Sequence, residues 1–386
     1  MSLARRLLSP QTRFTLRRLA TRIKVRAPLL TPWRWEARRW SAKTYDVMTF
    51  APPSEHHGRA LMQLEGDGAP CELEKGLDSN VALVSPMIIP GAYRVPCELH
   101  TIVPLGRSLE EITARYDREL RRTLKKSRGA YTFTRVTDPA RIAALNDEML
   151  VPYARARHGA DAVCPPLSDV MNMALETGRL DVVENAGKPV ACHLGYTLEQ
   201  GGKRTFITLR FGYPKEIFEE QKKLREANAM NTYLAMEWAH QNHFDGYDMG
   251  SASSRPDDGL LQWKRRRDGA VDCSHAEEWL SVRPPASAKA AFLWDHPLFS
   301  VENGQLELQL GIAPGVGDDE ALARWKQYGF SGLQRVHVYA ERELPERLAA
   351  GVSAIFEGQT LKPAEIVMHA PRPGAVTVAE PLQQAA

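Results

Sequence analysis

The chain has 386 residues, of which 43% are apolar and 25% are charged, and its net charge is +3. This composition predicts a soluble protein of two or three domains and excludes a disordered chain. No stretch offers the roughly 18–20 uncharged apolar residues of a membrane-spanning helix. The charge is too small to argue for nucleic acid by itself. The five cysteines are widely spaced, which predicts reduced thiols in the cytoplasm and neither disulfides nor a zinc site.

Residues 1–45 carry a strong local excess of positive charge. They contain twelve Lys and Arg residues and one acid, Glu36, and leucines interleave the arginines of residues 1–27. Because arginines interrupt every apolar run, a secretory signal is not predicted. Three hypotheses remain: a basic amphipathic segment on an anionic membrane surface, an organelle transit peptide, or a basic arm without a dedicated partner.

The next elements along the chain are short strands followed by a helix. Residues 46–97, with apolar runs broken by Gly and Pro, are assigned to the N-terminal part of the region that continues through residues 98–283. A helix is predicted over 108–126, with Ser108 and Glu111 in the pattern of a capping box. Arginines and lysines crowd its C-terminal end, where cations suit the helix dipole.

Residues 131–283 alternate between strand and helix patterns. A strand at 131–136 and helices at 139–158 and 168–177 precede three β-prone runs separated by tight turns, which predict an antiparallel meander over 180–211. A long helix at 219–241, a strand at 245–249, a short helix at 259–267 and a strand at 271–282 complete the order, which predicts an α/β fold around a mixed sheet.

The C-terminal part has a different organisation. The Pro- and Ala-rich passage 284–297 is a candidate boundary, residues 298–370 are predicted to form a small α/β appendage, and residues 371–386 to be a disordered tail.

Two passages carry a resemblance to a known family. They are ELHTIVPLGRSLEEITARYDRELRRTLKKSRG, residues 98–129, and FDGYDMGSASSRPDDGLLQWKRRRDG, residues 244–269. With the meander and long helix between them, they resemble the FemAB-like branch of the GNAT acyltransferase superfamily over residues 98–283. The resemblance implies a mixed, mainly antiparallel sheet flanked by helices. It also implies transfer of an acyl group from a thioester or aminoacyl ester to an amine or hydroxyl.

One family feature is missing from this sequence. Ordinary GNAT enzymes hold the coenzyme A pyrophosphate on a glycine-rich loop at a helix N-terminus. The matching residues 211–228 contain one glycine and carry Glu219 and Glu220 in the first turn. If a diphosphate binds here, the available cations are Lys222, Lys223 and Arg225.

Two residues are the candidates for catalysis. Lys264 matches the lysine of the family and is predicted to bind a substrate phosphate or to stabilise the tetrahedral oxyanion. Asp248, at the end of a predicted strand, is the candidate general base, since burial can raise the pKa of a carboxyl group. A solvated lysine and a loop-capping aspartate are the structural alternatives, and Asp245 is a weaker candidate base.

Five further residues are assigned to substrate binding. Arg255 precedes a proline and can grip an anion with two hydrogen bonds, or pair with a nearby aspartate. Trp263 adjoins Lys264, and Arg210 ends the strand before the long helix. His193 is assigned to an acceptor pocket or the core and not to a base, and a Cys192–His193 dyad is not expected because neighbouring strand residues point to opposite faces. Tyr213 follows the same strand as Arg210.

The sequence therefore predicts an acyltransferase that uses acyl-CoA and modifies a cell-envelope glycan or lipid-linked precursor. It is expected in the cytoplasm, and residues 1–27 offer a peripheral attachment to the inner membrane as a further hypothesis. No metal site is predicted, since His240 and His243 lack a third ligand. An aminoacyl-tRNA-dependent transferase and a non-catalytic sensor or scaffold on the same fold remain as alternatives.

Overall fold

The computed structural model describes residues 34–52, 57–159, 162 and 164–370. Most of the basic segment and the predicted tail at 371–386 lie outside these residues. Within the described part, no helix combines the length and apolar character that crossing a bilayer requires.

The strands and helices are numbered here in chain order. The strands are β1 (Glu36–Ser41), β2 (Asp46–Ala51), β3 (Ala69–Pro70), β4 (Val81–Ser85), β5 (Tyr93–Pro96), β6 (Glu98–Pro104), β7 (Tyr131–Val136), β8 (Gly178–Asn185), β9 (Lys188–Gln200), β10 (Lys203–Gly212), β11 (Gly246–Ser253), β12 (Ala270–Asp272), β13 (Trp279–Arg283), β14 (Leu298–Glu302), β15 (Gln305–Ile312), β16 (Arg335–Ala340) and β17 (Glu365–His369). The α-helices are α1 (His57–Leu61), α2 (Leu109–Ala114), α3 (Arg118–Ser127), α4 (Pro139–Leu145), α5 (Val151–His158), α6 (Leu167–Asn172), α7 (Lys215–Phe218), α8 (Gln221–Gln241), α9 (Gly259–Arg265), α10 (Lys289–Asp295), α11 (Asp318–Trp325) and α12 (Glu346–Glu357).

The described residues form two compact units. The first consists of residues 97–278, and the second combines residues 34–96 with the chain from 279 onwards. The first unit is thus one continuous stretch of chain. Its two ends meet, because the backbone N–H of Cys97 donates to the carbonyl oxygen of Glu278 at 2.9 Å.

The first unit is built on one mixed sheet. Its strand order is β12-β6-β11-β10-β9-β8-β7, and β10 and β11 are parallel whereas the other neighbours are antiparallel. The predicted meander is β8, β9 and β10. Helix α8 packs on the sheet through small and apolar residues, and its buried face includes Met230, Tyr233 and Met236. The mixed, mainly antiparallel sheet with flanking helices confirms the predicted fold class.

The predicted helix over 108–126 is two helices in the structure. Ser108 accepts from the backbone N–H of Glu111, and the Glu111 carboxylate accepts from that of Ser108, which confirms the capping box. The first helix ends at Ala114, and the side chain of Asp117 then caps α3 by accepting from the N–H of Leu120 at 2.7 Å. An internal N-cap residue therefore interrupts a continuous apolar stripe.

The predicted strand over 271–282 is wrong as one element. β12 ends at Asp272, whose carboxylate accepts from the backbone N–H of Ser274 and turns the chain. The next strand, β13, belongs to a sheet of the second unit with the order β3-β1-β2-β4-β13-β5. Its alternation resembles that of β12, so hydrophobic pattern alone does not separate the two strands.

The second unit also contains the sheet β14-β15-β16-β17, which is the core of the predicted appendage. Helix α10, inside the predicted boundary passage, packs against β15. The approach is close, because a Cβ at Gly311 would lie 2.1 Å from the carbonyl oxygen of Ala290.

Candidate active site

The parallel strands β10 and β11 separate partway along their length. Pairing runs from Thr205 opposite Gly246 to Ile207 opposite Asp248, and within the described residues no pair follows. Both strands have irregularities at this point: β10 shifts register against β9 between Thr208 and Arg210, and β11 shifts against β6 between Asp248 and Ser251. The backbones beyond the last pair therefore do not bond to each other, and an opening begins there.

A cleft of about 990 Å³ occupies this opening. Both strands line it, together with the beginnings of α3 and α8, the end of α5, and α9. All lining residues belong to the first unit. The volume suits a small organic substrate with one reacting end between the strands.

A histidine–aspartate pair lies at the base of the opening. The Nδ1 atom of His100 on β6 lies 2.6 Å from Oδ2 of Asp248 on β11, and the backbone N–H of Gly250 donates to Oδ1 of the same carboxylate at 2.7 Å. Asp248 is fully buried, whereas His100 lines the cleft. Because a carboxylate can only accept, neutral His100 carries its proton on Nδ1, and Nε2 is left as the basic atom.

Lys264 lies next to this pair. It is 1% exposed, lines the cleft, and donates from Nζ to the carbonyl oxygens of Ser251, at 2.8 Å, and Gly250. These carbonyls belong to the irregular part of β11, and Gly250 itself has φ of +80°. Lys264 therefore fixes the backbone that forms one wall of the opening.

The charge of Asp248 influences the protonation of His100 and of Lys264. Burial lowers the pKa of His100, but the hydrogen bond and charge of Asp248 outweigh it, so that the pKa is raised above 6.5 overall. Burial lowers the pKa of Lys264 to about 8, although the charge of Asp248 acts in the opposite direction. The site thus holds a histidine whose pKa is raised and a lysine whose pKa is lowered, which brings a candidate base and a candidate acid together.

Two of the predicted binding residues also line the cleft. They are Trp263 on α9 and Arg210 on β10. Arg267 belongs to the basic run 265–267, which the aminoacyl-tRNA alternative assigns to phosphate contacts. Its guanidinium lies 3.7 Å from the centre of the Trp263 ring and also lines the cleft.

The other three predicted binding residues lie outside the cleft lining. Arg255 makes an ion pair with Asp257 at 2.8 Å. His193 is fully buried among aromatic rings, and burial lowers its pKa to about 3, which makes it a neutral core residue. Tyr213 is fully buried, with its ring 4.7 Å from that of Tyr153. Their assignment to substrate binding stays a prediction.

The predicted diphosphate cations are dispersed. Lys222 and Lys223 are exposed and lie outside the cleft lining, and Lys223 pairs with Glu220 at 2.6 Å. Arg225 lines the cleft and lies 3.8 Å from Glu119 on α3.

Sequence reasoning missed His100, although it stands in the first family-like passage. The available signal was the alternation of apolar and polar residues around His100, which is typical of a strand. The candidate carboxylate, Asp248, was predicted to lie on another strand. His240, considered and rejected as a metal ligand, has Nε2 at 2.8 Å from the carbonyl oxygen of Arg107. Among the described residues, no group of three potential ligands is placed to hold a metal ion.

Comparison with known proteins agrees with this geometry. Residues 113–265 match the family model described as an acetyltransferase (GNAT) domain. No curated protein matches the chain. Among solved structures, FemX has 13% identity and a TM-score of 0.38, with 65% of this chain and 90% of that chain covered. L-PGS from Bacillus licheniformis has 12% identity and a TM-score of 0.33, with 64% and 80% covered. A GCN5-related N-acetyltransferase from Anabaena variabilis has 12% identity and a TM-score of 0.29, with 87% of this chain and 84% of that chain covered.

The family match lies wholly inside the first unit and includes most of the cleft. Residues 113–265 are therefore similar to a GNAT acetyltransferase domain, as the predicted resemblance to the GNAT superfamily implies.

Proposed function

We propose that this protein transfers an acyl group from a coenzyme A thioester to an amine or hydroxyl group. The observation that carries the proposal is the opening between β10 and β11 with His100 and Asp248 at its base. Strand backbones that no longer pair with each other present N–H and C=O groups, and these suit an extended donor chain lying between them.

The residues of the opening supply the functions that acyl transfer needs. Nε2 of His100 accepts the proton of the attacking amine or hydroxyl, and Asp248 holds the ring and stabilises the imidazolium that forms. The ammonium of Lys264 favours the negative charge that develops on the carbonyl oxygen. This assignment moves the role of base from Asp248 to His100 and keeps the electrophilic role of Lys264.

The acceptor that we propose is a cell-envelope glycan or a lipid-linked precursor. Support comes from the resemblance of residues 98–283 to FemAB-like acyltransferases. The basic residues 1–27 are proposed to bring the protein to the anionic inner membrane surface.

An aminoacyl-tRNA donor is the second candidate. Cations outnumber acids in the cleft lining, and the helix that follows β10 lacks a glycine-rich loop; both features also suit a nucleic acid backbone. Both candidates share the same transfer chemistry and differ in the carrier of the acyl group. A sensor or scaffold on this fold would bind the donor without turnover.

Release of free thiol from acetyl-CoA and longer acyl-CoAs, measured with a panel of amine and hydroxyl acceptors, tests the proposal. We expect acceptor-dependent release by the full chain and a loss of about 100-fold or more in kcat in His100→Gln. Donor binding without release for any acceptor would favour the sensor. Absence of both binding and release would exclude acyl-CoA and favour charged tRNA.

The membrane proposal needs a separate test. Because β1 begins at Glu36, the shortened chain should lack residues 1–33 and keep this strand. We expect the full chain to bind phosphatidylglycerol vesicles in a salt-sensitive manner. Equal binding by the shortened chain would contradict the role of the segment.

A further inference from the structure

The guanidinium of Arg267 is buried beside the cleft. The residue is 7% exposed, its ring contact is to Trp263, and its N–H donates to the carbonyl oxygen of Trp263 at 3.0 Å. In the part of the chain that the structure describes, no carboxylate forms an ion pair with it. Burial lowers its pKa to about 10, which reflects the energetic penalty of holding this charge away from water.

Further arginines gather at the same end of the cleft. The carbonyl oxygen of Arg266 accepts from the backbone N–H of Asp117 at 3.3 Å, so the Arg266–Arg267 segment lies at the beginning of α3. Arg225 reaches the same place from α8, 3.8 Å from Glu119. Asp117 is occupied as the N-cap of α3. The charge of Asp117 still acts on Arg267, so three arginines face two carboxylates and one positive charge remains in excess.

This excess of positive charge lies where the usual phosphate-binding element is missing. α8 begins after Glu219 and Glu220, which repel an anion, and the side chain of Glu220 makes no capping hydrogen bond. The beginning of α8 nevertheless lines the cleft. An anion in this part of the cleft therefore needs side-chain donors in place of backbone amides.

We propose that Arg267, whose guanidinium lies over the ring of Trp263, binds a phosphate group of the donor in place of the glycine-rich loop, with Arg225 and Arg266 completing the subsite. The inference rests on the proposed function only in taking the donor to carry phosphate. A guanidinium presents two parallel N–H groups that match two phosphate oxygens. A multiply charged phosphate suits this excess of arginines better than a single carboxylate does.

Binding of phosphate-containing probes by the full chain tests the inference. The probes are inorganic pyrophosphate, coenzyme A, pantetheine without phosphate, and an RNA minihelix that ends in CCA. The variant Arg267→Gln removes the charge and keeps a polar side chain. Arg265→Gln is the matched control, because Arg265 belongs to the same basic run but lies outside the cleft lining. Arg267→Lys provides a second variant that keeps the charge and loses the planar fork.

We expect Arg267→Gln to bind pyrophosphate and coenzyme A at least about tenfold more weakly than the unmodified chain, and pantetheine equally well. Arg265→Gln should behave as the unmodified chain, and Arg267→Lys should show an intermediate loss. If Arg267→Gln does not fold, the affinities of Arg267→Lys and the unmodified chain for pyrophosphate and coenzyme A are compared instead.

Equal affinity of the variant and the unmodified chain for pyrophosphate and coenzyme A would overturn the inference. So would the failure of the unmodified chain to bind any phosphate probe. If pyrophosphate and the minihelix bind through Arg267 and coenzyme A does not, the phosphate subsite stands and the coenzyme A donor is wrong.

Discussion

His100 and Asp248 are 148 positions apart in the chain, yet their side chains are 2.6 Å apart in the structure. They meet because β6 and β11 are antiparallel neighbours and because the register between them shifts just after Asp248. A register shift of this kind turns a side chain away from its regular position. No local sequence pattern encodes this register shift, so the strand position of His100 hinted at a role but did not pair it with Asp248.

The pH dependence of kcat/KM tests the assignment of His100. The base must be neutral, so activity should rise with pH through the raised pKa of His100. Asp248→Asn removes the charge that raises this pKa, and the rise should therefore move to lower pH while the plateau falls. Asp245→Asn is the matched control. Asp245 lies outside the cleft lining, and its carboxylate accepts from the backbone N–H of Arg204 at 2.7 Å. An unchanged profile in Asp248→Asn would contradict the pair.

The charge of Lys264 is testable through a substitution of similar length. Lys264→Met removes the ammonium that we place near the developing oxyanion, and kcat should fall by about 100-fold or more. Circular dichroism should show that the variant is folded. Full activity in a folded Lys264→Met protein would remove Lys264 from the mechanism.

At the scale of elements, the separation of β10 and β11 depends on the irregular part of β11. Gly250 has a positive φ, and a Cβ at this position would lie 3.1 Å from the carbonyl oxygen of Thr208. Gly250→Ala should therefore lower the free energy of unfolding by about 1–2 kcal/mol. It should also lower the enzymatic activity, because the added methyl group displaces the wall of the opening. Gly106→Ala is the control, since its Cβ would meet nothing within 4 Å. Equal stability of both variants, by urea unfolding, would contradict this account of β11.

The last strand of the second unit is joined to its neighbour by a histidine pair. Nδ1 of His337 on β16 lies 3.0 Å from Nε2 of His369 on β17, and Nε2 of His337 lies 3.1 Å from the carboxylate of Glu307. Burial and the charges of His337 and Lys289 lower the pKa of His369. One ring must accept the shared hydrogen bond, so both rings cannot be protonated while it persists.

This pair predicts a loss of stability in acid. The folded state binds a proton at His369 less readily than the unfolded state does, so the contribution of neutral His369 is complete above about pH 6.5 and declines below it. The free energy of unfolding should therefore fall less between pH 7.5 and pH 5 in His369→Gln than in the unmodified chain. The same fall in both proteins would contradict the prediction.

The order of elements was largely predictable, because strands and helices leave periodic apolar patterns of different spacing. The meander, the long helix α8 and the capping box of α2 were identified in this way. The break before α3 and the assignment of β12 and β13 to different sheets were not. Both depend on side-chain caps and turns that compete with a continuing apolar pattern.

The same limit applies to the candidate site. Lys264, Trp263 and Arg210 were identified and line the cleft. The sequence left His193 either in an acceptor pocket or in the core, and its side chain is fully buried. Tyr213, which was assigned to substrate binding, is also fully buried and packs in the core that includes α8. Which face of a strand meets solvent depends on elements far away in sequence.

On the scale of the whole molecule, one continuous stretch of chain holds the entire cleft. A fragment of residues 97–278 should fold by itself, because its ends are hydrogen-bonded to each other and its core lies within it. It should show the same increase in melting temperature with acetyl-CoA as the full chain. An unfolded fragment, or a folded one without this increase, would mean that the rest of the chain contributes to the site.

Titration of acetyl-CoA against a variant with a blocked opening tests the central claim most directly. Leu209 is 41% exposed at the irregular position of β10 and lines the cleft, so that Leu209→Trp should fill the space between the strands. Leu175, 38% exposed and outside the cleft lining, supplies the control variant Leu175→Trp. We expect saturable binding by the unmodified chain and by Leu175→Trp, and none by Leu209→Trp. Equal binding by both variants, or no binding by the unmodified chain, would contradict the claim that the opening between β10 and β11 receives the acyl-CoA donor.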